Sequence, residues 1–61
     1  MLEFTKVSET LWNVDDPSGF RVATIGRYRE GAEWRALPVD TGGWNVSQLE
    51  QLTNFLKELN S

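Results

Sequence analysis

The sequence predicts an α+β domain in which an antiparallel meander of three or four strands is followed by one C-terminal amphipathic helix. Three segments rich in β-branched and aromatic residues alternate with short turn motifs, which is typical of a meander. The last segment instead repeats its apolar residues at helical spacing. At 61 residues the chain allows one small domain, residues 1–61.

The first predicted strand covers approximately residues 4–14. It ends at residues 15–19, Asp-Asp-Pro-Ser-Gly, where every residue favours a turn. The second strand covers residues 20–29 and carries Val, Thr, Ile and Tyr at the density expected of a strand. These two segments therefore predict the first hairpin.

The second hairpin is predicted from a tight turn at residues 30–31, Glu-Gly. The third strand covers residues 32–39, and Pro38 favours an edge or a strand end. A turn at residues 40–43 closes this strand. Residues 44–46 are a candidate for a short fourth extended piece.

The helix is predicted over approximately residues 48–59. Ser47 and Glu50 have the spacing of a capping box, in which each side chain accepts a hydrogen bond from the other residue's backbone N–H. The residues after this cap form one apolar stripe: Leu49, Leu52, Phe55, Leu56 and Leu59.

Turn geometry assigns the strand residues to the two faces of the sheet. The two-residue turn places Arg27 opposite Trp34, and a five-residue turn in the first hairpin places Val14 opposite Phe20. One face, which the helix stripe covers, then collects Phe4, Trp12, Val14, Phe20, Val22, Tyr28, Leu37 and Val39.

The opposite face is left uncovered, since one helix cannot cover both faces of a sheet. An exposed face that is both apolar and cationic marks an interaction site. A slip of one residue in either turn would invert the assignment. The uncovered face is predicted to collect Val7, Leu11, Ala23, Ile25, Trp34 and Ala36 with Arg21, Arg27 and Arg29.

The composition argues against several classes of function. Cysteine and histidine are both absent, which removes disulfides and the usual zinc and haem ligands. General base catalysis at neutral pH usually depends on histidine, and the Asp15-Asp16 pair belongs to turn chemistry rather than to a metal loop. We therefore expect a protein that is not an enzyme and needs no cofactor or metal.

Size and hydropathy define the expected setting of the chain. A domain this small usually needs a disulfide, a metal or a partner chain, and only the last is available, so we expect a homodimer. No apolar run is long enough for a transmembrane helix, and residues 1–4 do not resemble a signal peptide. We expect a cytoplasmic protein with no membrane contact.

The charge distribution is uneven along the chain. The net charge is −3, but residues 20–39 hold four arginines and two glutamates, whereas the rest of the chain holds seven acidic residues and two lysines. Arginine suits both phosphate recognition and stacking. The local excess of arginine marks this part of the chain as a candidate recognition surface.

The arginines and Trp34 have two interpretations. In the structural one, Arg27 and Trp34 form a cross-strand cation–π pair. In the functional one, aromatic stacking and phosphate neutralisation bind an unpaired nucleic-acid strand. The candidate nucleic-acid-binding residues are Lys6, Arg21, Arg27, Arg29, Trp34 and Arg35.

The order of motifs resembles a known family. Residues 23–29 (Ala-Thr-Ile-Gly-Arg-Tyr-Arg), residues 33–35 (Glu-Trp-Arg) and residues 43–47 (Gly-Trp-Asn-Val-Ser) precede the helix at residues 48–59. This pattern, over about two thirds of the chain, is similar to the positive-cofactor-four transcription coactivators, which are related in fold to the Whirly proteins. The resemblance implies a single-stranded-DNA-binding fold whose C-terminal helix helps to form a dimer.

The leading expectation is thus a small, non-enzymatic, transcription-associated module that binds single-stranded nucleic acid. The alternative is a protein–protein interaction module, or small regulatory subunit, that uses the same exposed sheet face. In that case the apolar residues would form the contact and the arginines its rim. A third alternative is that this face is the homodimer interface itself.

Overall fold

The structure is a computed structural model that describes residues 1–39 and 43–61. In this part of the chain the strands are β1 (Glu3–Ser8), β2 (Leu11–Asp15), β3 (Arg21–Gly26) and β4 (Arg35–Pro38), and the helix is α1 (Val46–Leu59). The strands form one antiparallel sheet in the order β1-β2-β3-β4, and the helix packs on one face. The predicted α+β fold is confirmed.

The first predicted strand is in fact a hairpin. β1 and β2 are joined by a turn at Glu9 and Thr10, and the Thr10 N–H donates to the Ser8 hydroxyl at 3.2 Å. The prediction of one strand over residues 4–14 is therefore wrong. The sequence does not mark this turn, because the turn contains no Gly, Pro, Asn or Asp. The division of this segment into β1 and β2 supplies the fourth strand of the sheet. The predicted fourth extended piece at residues 44–46 is not a strand, since Trp44 and Asn45 lie outside the sheet and Val46 begins the helix.

A β-bulge shifts the register between β2 and β3. Asp15 pairs with Arg21 but Val14 pairs with Ala23, so Val22 is an extra residue on β3. Two consecutive residues of β3, Val22 and Ala23, are consequently both buried. Beyond the bulge, every side chain of β3 lies on the opposite face from the one it would otherwise occupy.

The bulge inverts the predicted face assignment of β3 and β4. The residues predicted on the uncovered face, Ala23, Ile25 and Trp34, are buried in the core. The assignments of Phe4, Trp12, Val14 and Val22 to the core are confirmed. The assignments to the covered face are wrong for four residues that are exposed: Phe20, Tyr28, Leu37 and Val39.

The hairpin of β3 and β4, which is the second hairpin predicted from the sequence and keeps that name below, has the predicted register. Thr24 pairs with Leu37 and Ile25 with Ala36, which is the alignment set by a turn at residues 30–31. The Ala32 N–H donates to the Arg29 carbonyl at 3.1 Å, and Gly31 has a φ of 86° that glycine adopts without a steric penalty. Regular pairing ends at Gly26 and Arg35, earlier than predicted. Of the predicted turn at residues 40–43, residues 40–42 lie outside the described residues.

The helix begins two residues earlier than predicted. Asn45 is the N-cap: its side chain accepts from the Gln48 N–H at 2.8 Å, and the Gln48 side chain accepts from the Asn45 N–H at 3.0 Å. This is a capping box, but it is formed by Asn45 and Gln48 rather than by Ser47 and Glu50. Asparagine caps as well as serine does, so the earlier pair extends the helix.

The helix packs on the face of the sheet that carries the core. Phe55 stacks on Phe4 with ring centroids 4.0 Å apart, and it meets Trp12 edge-on at 5.0 Å. At the far end of the helix, Asn60 accepts from the Trp34 N–H at 2.8 Å and donates to the Trp34 carbonyl at 3.1 Å. We call the helix-covered side of the sheet the inner face and the other side the outer face.

Candidate interaction surface on the sheet

Two of the predicted nucleic-acid-binding cations form ion pairs with neighbouring acids. The Lys6 ammonium lies 3.4 Å from the Glu9 carboxylate. The Arg21 guanidinium lies 2.6 Å from the Asp15 carboxylate across the β2–β3 pair. Both cations are about half exposed, so each pair stabilises the fold by at most about 1 kcal/mol, but each neutralises its cation locally.

Arg27 and Trp34 are joined as the structural interpretation predicts. The Arg27 guanidinium carbon lies 4.2 Å from the Trp34 ring centroid, which is a cation–π contact. The same guanidinium donates two hydrogen bonds to the Glu9 carbonyl, at 2.9 and 2.7 Å. Arg27 therefore ties the β1–β2 turn to Trp34.

Trp34 itself is only 6% exposed. The prediction that it lies on the uncovered face is wrong, because the bulge turns this end of the second hairpin toward the helix. An indole at this position has no free face on which a base could stack. Its place in the structure is the core between Arg27 and Asn60.

Arg29 and Arg35 are the predicted cations that remain most accessible. Arg29 lies in the exposed turn of the second hairpin. Arg35 is 3.7 Å from Glu33, and both side chains are largely exposed. This long, solvated contact leaves Arg35 available to a ligand.

The outer face contains a shallow groove at the end near the two turns. Leu11, Gly26 and Arg35 lie side by side on β2, β3 and β4, and the missing side chain of Gly26 leaves a depression between its neighbours. Leu37 and Tyr28 also line this outer-face groove, whose volume is about 410 Å³. The groove thus has an apolar floor with the Arg35 guanidinium beside it.

Tyr28 and Leu37 are the surface residues that the sequence reasoning missed. Tyr28 is 90% exposed and Leu37 is 58% exposed, although both were predicted to lie under the helix. Both residues follow the bulge in the chain, so a sequence signal for the bulge would have been needed to assign them to the outer face. Because no bulge-specific residue marks Val22, only the observed register assigns these two side chains to the outer face.

The described residues hold no cluster of three or more acidic side chains placed to bind a metal ion. Asp16, in the turn between β2 and β3, is a carboxyl whose hydrogen bonds displace its pKa. Its Oδ1 atom accepts from the Ser18 hydroxyl at 2.6 Å, the Ser18 N–H at 2.9 Å and the Phe20 N–H at 3.0 Å. These hydrogen bonds, led by that from the Ser18 hydroxyl, lower the pKa of Asp16 below its usual 3.8.

Within residues 1–39 and 43–61, no helix has the length and apolar character needed to cross a membrane. Comparison of the chain with models of protein families found no match, and comparisons with curated proteins and with solved structures also found none. The resemblance to the positive-cofactor-four family remains a prediction from the residues alone.

Proposed function

We propose that the protein is a small, non-enzymatic binding module that binds a protein partner through the outer face of its sheet. The observation that carries this proposal is the outer-face groove, an apolar depression between Leu11 and Leu37 that no other part of the described chain covers. An exposed apolar patch with a polar rim is typical of protein interaction sites.

The surroundings of the predicted nucleic-acid-binding cations also favour a protein partner over nucleic acid. Lys6 and Arg21 are each paired with an acidic side chain, Glu33 lines the groove together with Arg35, and the chain as a whole is anionic. Nucleic-acid binding depends on cations that are free to neutralise phosphates. Arginines beside acidic residues are better suited to the rim of a protein interface, where they set specificity and association rate.

A second candidate function, binding of single-stranded nucleic acid, is supported by Tyr28. This ring is almost fully exposed, it lies between Arg27 and Arg29 in sequence, and it lines the same groove as Arg35. An exposed aromatic ring with arginines beside it can stack on an unpaired base. In this candidate Tyr28 takes the stacking role that the sequence assigned to Trp34.

The test of the protein-binding proposal is a selection from a displayed random-peptide library. Gly26→Val places a branched side chain in the depression at the centre of the groove, and the strand accommodates it because a Cβ at Gly26 meets only the Thr10 carbonyl at 3.6 Å. We expect peptides with an apolar residue next to an acidic one to bind the wild type and to lose binding to Gly26→Val. Thr24→Val is the matched control, on the same face but outside the lining of the groove. Peptides that bind Gly26→Val equally well would contradict the proposal.

The nucleic-acid candidate is tested with a fluorescently labelled oligothymidine, whose anisotropy is followed at low and moderate salt. Saturable binding that weakens from about 50 to 200 mM salt, and that is lost in Tyr28→Ala, would establish this candidate. Absence of binding at low salt would remove it and leave the protein-binding proposal.

We also propose that the working form is a homodimer. Six hydrophobic side chains among the described residues are buried, and none of them comes from α1. Such a small core leaves little free energy of unfolding in a chain of this length. A second copy would bury additional surface of both chains.

A further inference from the structure

The two edges of the sheet differ in their capacity to pair with another strand. β4 has four residues and ends at Pro38, which has no N–H to donate. β1 has six residues, none of them proline, and all except Phe4 are exposed; its pairing with β2 is regular from Glu3 to Lys6 and is followed by a bulge at Val7. Since an edge strand turns alternate N–H and C=O groups away from its neighbour, β1 is the edge prepared to accept a further strand.

An open groove lies beside β1 on the inner face. It has a volume of about 330 Å³ and is lined by Leu2, Phe4 and Phe55 together with Met1, which is itself highly exposed. Phe55 remains half-buried although it stacks on Phe4. The helix therefore covers the inner face only in part on this side. A strand added at β1 would bring new side chains over this groove.

We propose that the occupant of this edge is a second copy of the chain, whose β1 pairs antiparallel with β1 about a two-fold axis at Thr5. The two sheets would then form one continuous eight-stranded sheet. This inference rests on the homodimer in the proposed function and adds where its interface lies. It leaves the outer-face groove free in both copies.

The charges of β1 select the position of the axis. In a two-fold antiparallel pair, the residue on the axis faces its own copy. An axis at Glu3 would oppose two carboxylates and one at Lys6 two ammonium groups, and like charges directly opposite destabilise a pair. Thr5 and Phe4 remain as uncharged positions near the centre of the strand.

Thr5 is preferred to Phe4 because it pairs more of the strand. An axis at Thr5 pairs residues 3–7 of β1, the last of which is the bulged Val7, whereas an axis at Phe4 pairs only residues 3–5 within the strand. With the axis at Thr5, Lys6 of each copy lies beside Phe4 of the other on the inner face. A cation beside an aromatic ring is favourable there, and the exposed pair of Lys6 with Glu9 does little to oppose it.

The test uses the absence of cysteine from the chain, so a single introduced cysteine can cross-link only to its copy. We expect Thr5→Cys to form a disulfide-linked dimer under mild oxidation, whereas Thr53→Cys, on an exposed part of the helix, forms none. We also expect Thr5→Lys, which opposes two ammonium groups at the axis, to raise the dimer Kd about tenfold. Thr53→Lys, with the same change in charge, should leave the Kd within about twofold of the wild type.

Molar mass from sedimentation equilibrium measures these Kd values against the 7.0 kDa monomer, and far-UV circular dichroism verifies that each variant is folded. A wild type that stays monomeric at every concentration overturns both the homodimer and this inference. A wild-type dimer that Thr5→Lys leaves intact, and that Thr5→Cys does not cross-link, overturns the β1 interface but retains the homodimer.

Discussion

The inner and outer faces of the sheet are built from neighbouring residues of the same strands, yet they differ in what surrounds them. On the inner face, Val14, Ala23 and Ile25 have no exposed surface. On the outer face, Leu37 is more than half exposed although it pairs with Thr24, the residue between Ala23 and Ile25. Apolar character alone therefore does not identify the core of this protein, and the stability and the binding capacity are divided between the two faces.

The largest expected effect comes from truncating an aliphatic side chain on the inner face. Ile25→Ala should lower the free energy of unfolding by about 2–5 kcal/mol, because it leaves a cavity in the core. A domain of this length has roughly 3–9 kcal/mol in total, so much of the variant would be unfolded at room temperature. Urea unfolding followed by circular dichroism measures the change.

Leu37→Ala is the matched variant on the outer face. We expect it to change the free energy of unfolding by less than about 0.5 kcal/mol, while weakening the groove-dependent binding of selected peptides. Equal destabilisation by Leu37→Ala and Ile25→Ala would show that the two faces are not divided in this way.

An intermediate effect is expected where the helix is attached to the inner side of the second hairpin. Asn60→Ala removes both hydrogen bonds to the Trp34 backbone and leaves part-buried groups unpaired. It should lower the free energy of unfolding by about 1–3 kcal/mol. Asn54→Ala, an exposed position on the same helix, is the control and should be close to neutral in the same urea measurement. A neutral Asn60→Ala would mean that the Trp34 contact does not hold the helix.

The smallest effect is expected at Asp16, in the turn that precedes the bulge and so helps to set which β3 side chains face the helix. The folded-state pKa of Asp16 is lowered, so its ionised form stabilises the fold. This contribution is fully present above the usual value of 3.8 and is lost as the pH falls through the lowered folded-state pKa.

Asp16→Asn tests this pH dependence. The wild type should have the higher Tm at pH 7, and the difference between the two proteins should shrink as the pH is lowered below 3.8. Thermal unfolding followed by circular dichroism over this range gives both curves. A difference in Tm that stays constant with pH would exclude the Asp16 charge as its source.

The candidate site could be predicted only in part. The sequence identified exposed cations, since Arg21, Arg29 and Arg35 are indeed exposed, but three of the apolar residues that it assigned to the uncovered face lie in the core. It also identified the contact between Arg27 and Trp34, because a two-residue turn places them opposite each other. It could not show that Trp34 is buried, or that Tyr28 and Leu37 line the groove instead, because those depend on the face that the whole hairpin presents.

The sequence by itself determined the α+β class, the order of strands before the helix, the turn at residues 30–31 and, apart from the exposed Leu49, the apolar stripe of α1. Each of these depends on interactions between residues close in the chain, for which local propensity is a direct guide. Only the tertiary structure decided the turn at Glu9 and Thr10, the bulge at Val22 and the division of side chains between the faces. Side chains alternate with a period of two, so one extra residue on β3 inverts everything after it, and the bulge lets both Val22 and Ala23 pack in the core.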